Sequence, residues 1–130
     1  MAEAILRHLS GGRIEVASAG TSPQPDIHPM ARIAVNKLFG LEMAGQQPKP
    51  LAGFLQQQFD YVITVCDRAA EACPVFPGHP QRLHWSLADP ASVHGSDEER
   101  QRAFDDTAKQ LVTRIRLWLS LPNVRVSLAN

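Results

Sequence analysis

Cysteine is nearly absent. The 130 residues hold only Cys66 and Cys73, too few for the disulfide framework of a small secreted scaffold. Net charge is absent as well, since 13 basic residues balance 13 acidic ones, and that balance gives no reason to expect a nucleic acid or an anionic membrane as partner. No apolar run approaches the roughly 20 residues that cross a bilayer, and nothing around Met1-Ala2-Glu3 reads as a signal peptide. No internal repeat or low-complexity segment occurs. What remains is a soluble, cytoplasmic protein of one domain, long enough to bury about two thirds of its unfolded surface.

What is present is an alternation of helix and strand patterns. Ala2, Ile5, Leu6 and Leu9 recur at helical spacing, and Gly11-Gly12 stop that helix where left-handed backbone is cheap. RIEVASAG (13–20), β-branched at Ile14 and Val16, reads as a short strand, followed by the loop TSPQPDI. Pro29 suits the first turn of a helix through Met30, Ile33, Ala34 and Leu38, closed by Gly40. LAGFLQQQF (51–59) reads as a second, shorter helix. YVITVC (61–66) is apolar on both alternating faces, as in a parallel strand covered on each side. RAAEA is a strong helix former, PVFPGHP is a proline-stiffened loop, and RLHWSL (82–87) is the next strand. Ser96 and Glu99 make a capping box. It opens a helix with Phe104, Ala108, Leu111, Val112, Ile115 and Leu119 on one face, ended by Pro122. The pattern predicts an α/β sandwich with a mostly parallel sheet.

The two cysteines are the first chemical candidates. Cys66 closes a strand, and open α/β sheets place their sites at strand C-terminal ends. Cys73 stands seven residues on; if the segment between them is helical, the two Cα atoms lie about 10 Å apart. A disulfide needs them within about 7 Å, so bridging requires that helix to unravel. The pair is therefore a redox switch or two idle core thiols. A metal site with the nearby His79 and His84 is a third reading, disfavoured by cysteine spacing wider than the tight pairs of structural zinc. No metal and no cofactor is expected.

VCDRAAEACPVFPG together with HWSLADP, and SAGT at 18–21 ahead of the helix 29–39, resembles the thioredoxin-coupled arsenate reductases of the low-molecular-weight tyrosine phosphatase superfamily. The resemblance runs from Met1 to about Leu121 with order and spacing kept. It implies a three-layer sandwich around a mostly parallel four-stranded sheet over residues 1–122. It also implies a thiol relay: a first cysteine in a phosphate-type loop attacks arsenate, a second, matched by Cys66, releases arsenite, and a third, matched by Cys73, takes over the disulfide for thioredoxin to reduce. Asp89, ahead of Pro90, matches the carboxylate that handles the proton of the leaving oxyanion; without the surrounding motif it would read as an Asp-Pro turn. His84-Trp85 are expected to pack the strand.

One part of the pattern is missing. The family's first cysteine belongs to a Cys-x5-Arg loop between the first strand and first helix, whose N–H groups and helix dipole cradle the oxyanion. Six residues after Cys66 stands Ala72, and six after Cys73 stands His79. Residue 1 thus corresponds to an internal position, and the first strand, central in the expected order 2-1-3-4, is missing or replaced. NVRVSLAN at the C-terminus alternates at Val124, Val126 and Leu128. It is expected either to be a tail over 123–130 or to fill the vacant central place, in its own subunit or in a homo-oligomer by strand swapping. The functional expectation is an arsenate reductase family protein, taking arsenate or a phosphate-like oxyanion and inactive as written because the loop nucleophile is missing. The alternatives are a low-molecular-weight tyrosine phosphatase-like protein and a non-catalytic redox-switch or oxyanion-binding module.

Overall fold

The structure, a computed structural model, describes residues 1–19, 26–43, 46–47, 49–65 and 76–121. Among these residues, three helices and two strands follow one another as α1 (Ala2–Leu9), α2 (Pro29–Phe39), β1 (Tyr61–Thr64), β2 (Gln81–His84) and α3 (Asp97–Leu119). Short 3-10 turns cover Leu51–Phe54 and Pro90–Ser92. The chain divides into two compact units. One comprises the described parts of Met1–Ser18, Ile27–Gln46 and Pro90–Asn130, the other those of Ala19–Asp26 and Gln47–Asp89.

The first unit is helical. α3 starts at Ser96, whose Oγ accepts the Glu99 N–H at 3.1 Å and donates to Glu99 Oε1 at 3.3 Å, so Ser96 caps the helix as expected, with the Glu99 carboxylate bonded to the Ser96 hydroxyl rather than to its backbone N–H. Asp97, Glu98 and Glu99 place negative charge at the positive end of the helix dipole. Its buried face is Phe104, Ala108, Leu111, Ile115 and Trp118. Trp118 takes the place expected of Leu119, because the alternating steps of four and three keep to one stripe of a 3.6-residue helix. α1 and α2 both pack on α3, burying Ala4, Ile5, Ala31, Ala34 and Val35. Full burial of an Ile or Leu such as Ile115 or Leu111 contributes about 1.5–3 kcal/mol. α2 ends at Gly40, whose left-handed φ of 65° lets its N–H return to Asn36 O at 2.7 Å.

Two sequence expectations differ here, and a third falls outside what the structure describes. Residues 13–19 form no ladder with another strand among the described residues; side chains of α1 hold this stretch instead, Arg7 donating to Val16 O and Glu3 accepting from Ser18. The helix expected over 51–59 shrinks to the 3-10 turn at Leu51–Phe54, with Gly53 inside it, where backbone entropy opposes helix. The expected extra strand over 123–130 lies outside the described residues.

The second unit holds a two-stranded parallel sheet with Tyr61 opposite Gln81 and Thr64 opposite His84. It agrees with a parallel α/β sheet, though two strands stand among the described residues where four were expected. β1 is half-buried along its length rather than covered fully on both faces. Phe59 packs edge-on against the buried Phe76, ring centroids 5.6 Å apart, and Phe54 lies 6.2 Å from Phe59. No helix among the described residues is long and apolar enough to cross a membrane.

Candidate functional site

The C-terminal ends of β1 and β2 lie side by side, as parallel pairing requires. Beyond the ladder, Trp85 N–H donates to Thr64 O at 2.8 Å and Leu87 N–H to Val65 O at 3.0 Å. Successive carbonyls of a regular strand point to opposite sides, so two neighbouring carbonyls facing β2 mean that the pleat breaks between Thr64 and Val65. The strand read over 61–66 therefore stops at Thr64, one residue short of the last described position before Cys66. Across the strand ends, Thr64 Oγ1 lies 2.7 Å from His84 Nδ1 and 3.4 Å from Leu83 O, to which it donates.

Of the residues singled out from sequence, Cys66 and Cys73 lie outside the described residues. Asp89 is described: its side chain is exposed, in the loop that continues β2. Two peptide steps separate it from Leu87, at most about 7 Å of chain, and Leu87 is bonded to Val65. Backbone pairing thus brings the Asp89 loop alongside the chain entering Cys66. Trp85 is buried, as expected of a packing residue, whereas His84 is exposed. Consecutive strand residues face opposite sides, so the His-Trp pair cannot pack together. His79 is exposed with a left-handed φ of 52°. Among the described residues no group of three His, Cys, Asp or Glu side chains converges as metal ligands would.

Two polar clusters in the helical unit went unread in the sequence. Glu3, only 5% exposed, accepts from the N–H and Oγ of Ser18 and pairs at 3.6 Å with Arg7 Nη1. The SAG stretch marked Ser18, but the partner fifteen residues away had no local signal. The second cluster joins α2 to α3: Lys37 Nζ bonds Asp105 Oδ2 at 2.9 Å, and Gln101 Nε2 donates to Asp105 Oδ1 and to Met30 O. Partial burial alone would raise the Asp105 pKa; the hydrogen bonds from Gln101 and Lys37, with the charges of Lys37 and Lys109, outweigh it and lower the pKa below the ordinary carboxylate value.

The family described as low molecular weight phosphotyrosine protein phosphatase matches residues 1–126. An arsenate reductase of Shouchella clausii is 34% identical over 116 residues, spanning 89% of this chain and 82% of its own. Among solved structures, an arsenate reductase in its oxidized state superposes with a TM-score of 0.74 at 23% identity, covering 98% of this chain and 86% of the other. A thioredoxin-dependent arsenate reductase of Corynebacterium glutamicum gives a TM-score of 0.58 at 31% identity, covering 89% of this chain and 54% of that one.

Proposed function

Since this chain belongs to the low molecular weight phosphotyrosine protein phosphatase family, we propose that it serves the reduction of arsenate to arsenite, with thioredoxin as the final reductant. The observation that carries this reading is the 34% identity to an arsenate reductase over 116 residues, combined with a Cys66, Cys73, Asp89 order that matches the relay. The 31% identity to a thioredoxin-dependent arsenate reductase supports the choice of reductant.

In this reading a first thiolate replaces an oxygen of arsenate, and Asp89 supplies the proton that lets the oxygen leave as water. The Cys66 thiolate then attacks that first sulfur. The sulfur–arsenic bond breaks, its electron pair stays on arsenic, and arsenic(V) leaves as arsenite, the two sulfurs having become a disulfide. Cys73 attacks Cys66 in turn, frees the first thiol and leaves a Cys66–Cys73 bridge, which a thioredoxin dithiol reduces by thiol–disulfide exchange. Two electrons pass from thioredoxin to arsenic and the thiols return to their starting state. The paired ends of β1 and β2 support the assignment of Asp89, because they run its loop beside the residue that precedes Cys66.

Residues 1–130 contain thiols only at Cys66 and Cys73, and neither has an arginine six residues on. The proposal gives these two the second and third steps and requires the first thiol, with its oxyanion loop, from outside these residues. The test is arsenate-dependent NADPH oxidation coupled through thioredoxin reductase and thioredoxin. Residues 1–130 alone should show none. The same residues preceded by a strand and Cys-x5-Arg loop should turn over, and Cys66→Ser or Cys73→Ser should each abolish it. Turnover that persists in the two serine variants would overturn the reading.

A further inference from the structure

The last registered pair of the parallel sheet is Thr64 opposite His84. Their side chains meet across it, Thr64 Oγ1 standing 2.7 Å from His84 Nδ1. A hydroxyl both donates and accepts. If Nδ1 is bare, the hydroxyl donates to it. If Nδ1 carries a proton, the ring donates to Oγ1, and the hydroxyl proton turns to Leu83 O at 3.4 Å. The tie between the strands therefore holds with either tautomer and with the imidazolium.

Its place in the chain gives the tie its consequence. A cross-strand pair in mid-sheet stabilises the ladder around it. Here the ladder ends: the pleat of β1 breaks between Thr64 and Val65, so regular pairing no longer dictates where the next residues run. Two backbone bonds continue past the break, Trp85 N–H to Thr64 O and Leu87 N–H to Val65 O. Thr64 and His84 are the residues from which both of these bonds follow on. Asp89 comes two residues after Leu87, so the course of the chain beyond His84 sets where its carboxylate stands.

We propose that Thr64 and His84 are positioning residues for Asp89, clamping the ends of β1 and β2 so that the loop after β2 leaves in one direction. The proposal rests on the arsenate reductase reading above and adds no step to it. It bears on the step in which Asp89 gives its proton to the departing oxygen. A residue that acts through Asp89 loses no more than Asp89 itself supplies, about 10²- to 10⁴-fold. The loss of one hydrogen bond sets the expected effect at about tenfold.

Thr64→Val keeps the side-chain shape and removes the hydroxyl, and His84→Phe keeps a flat ring and removes its nitrogens. In residues 1–130, the Leu87 N–H should exchange with solvent about tenfold faster in either variant, while the Leu111 N–H in α3 keeps its parent rate. In the protein carrying the attacking loop, each variant should lower kcat about tenfold with the KM for arsenate unchanged, and Thr64→Ser should restore it. Added to Asp89→Asn, Thr64→Val should cost less than about twofold, because the group it positions is gone. A full tenfold loss in that background, parent turnover in Thr64→Val, or unchanged exchange at Leu87 would each overturn the proposal. A parent protein that gives the exchange response but no turnover would instead remove the arsenate reductase reading on which it rests.

Discussion

The N–H of Ser18 donates to Glu3 Oε1 at 2.9 Å, and the Ser18 hydroxyl donates to the same oxygen at 3.1 Å. This relationship ties α1 to the chain that follows it. Glu3 is nearly buried, so its removal leaves donors of Ser18 without their acceptor. Glu3→Ala should lower unfolding free energy by about 2–3 kcal/mol, while Ser18→Ala, which keeps the backbone bond, should cost about 1 kcal/mol. Urea denaturation measures both. Equal losses would mean that the backbone N–H bond contributes nothing.

The Lys37–Asp105–Gln101 cluster predicts a response to acid. The folded-state pKa of Asp105 is lowered, so its contribution is fully present above the unfolded value of about 3.9 and is lost as pH falls through the folded value. The lysine is 55% exposed, and solvent screening limits the effect to about 1 kcal/mol or less. Thermal unfolding followed from pH 6 to pH 2.5 should fall less steeply for Asp105→Asn than for the parent protein. Parallel curves would remove Asp105 from the account.

The start of α3 predicts two losses of different origin. Ser96→Ala removes the cap and should cost about 1 kcal/mol. Gly95 has a φ of 143°, and a Cβ there would stand 2.6 Å from Glu99 Oε2. That carboxylate tip can swing away, but the backbone conformation cannot be relieved, so Gly95→Ala should cost about 1–3 kcal/mol. Amide exchange in the first turn of α3 separates them from global unfolding; a Gly95→Ala protein as stable as the parent would contradict the strain argument.

The parts legible in the sequence are those fixed by neighbours in the chain. α1, α2 and α3 announced themselves by apolar spacing with Gly11-Gly12, Pro29, Gly40 and the Ser96–Glu99 box, and all three formed. β1 was visible as an apolar run, and a strand was read over 82–87 where β2 covers Gln81–His84, though the break at Val65 was not visible, because it depends on where Leu87 donates. Residues 13–19 have strand composition, but a strand also needs a pairing partner, which composition does not supply. Gly53 explains why 51–59 gained only a short turn. At the candidate site, Asp89 was proposed from its motif, and its loop follows β2. The Thr64–His84 contact there, and the Glu3–Ser18 tie in the helical unit, were not, since each depends on a residue 15 to 20 positions away.

Asp89 offers a chemical test of the relay. In a protein supplied with the attacking loop, Asp89→Asn should lower turnover by about 10²- to 10⁴-fold, the span of a general acid, with little change in melting temperature because the side chain is exposed. Parallel loss of stability and turnover would assign it to the Asp-Pro turn alone.

The most direct test of the central claim asks whether Cys66 and Cys73 exchange electrons with each other and then with thioredoxin. Residues 1–130 are oxidised mildly, and the disulfides are located by peptide mass mapping before and after reduced thioredoxin is added. The relay predicts one intrachain Cys66–Cys73 bridge that thioredoxin opens. Disulfide-linked dimers alone, two free thiols after oxidation, or an intrachain bridge that thioredoxin leaves intact would contradict it.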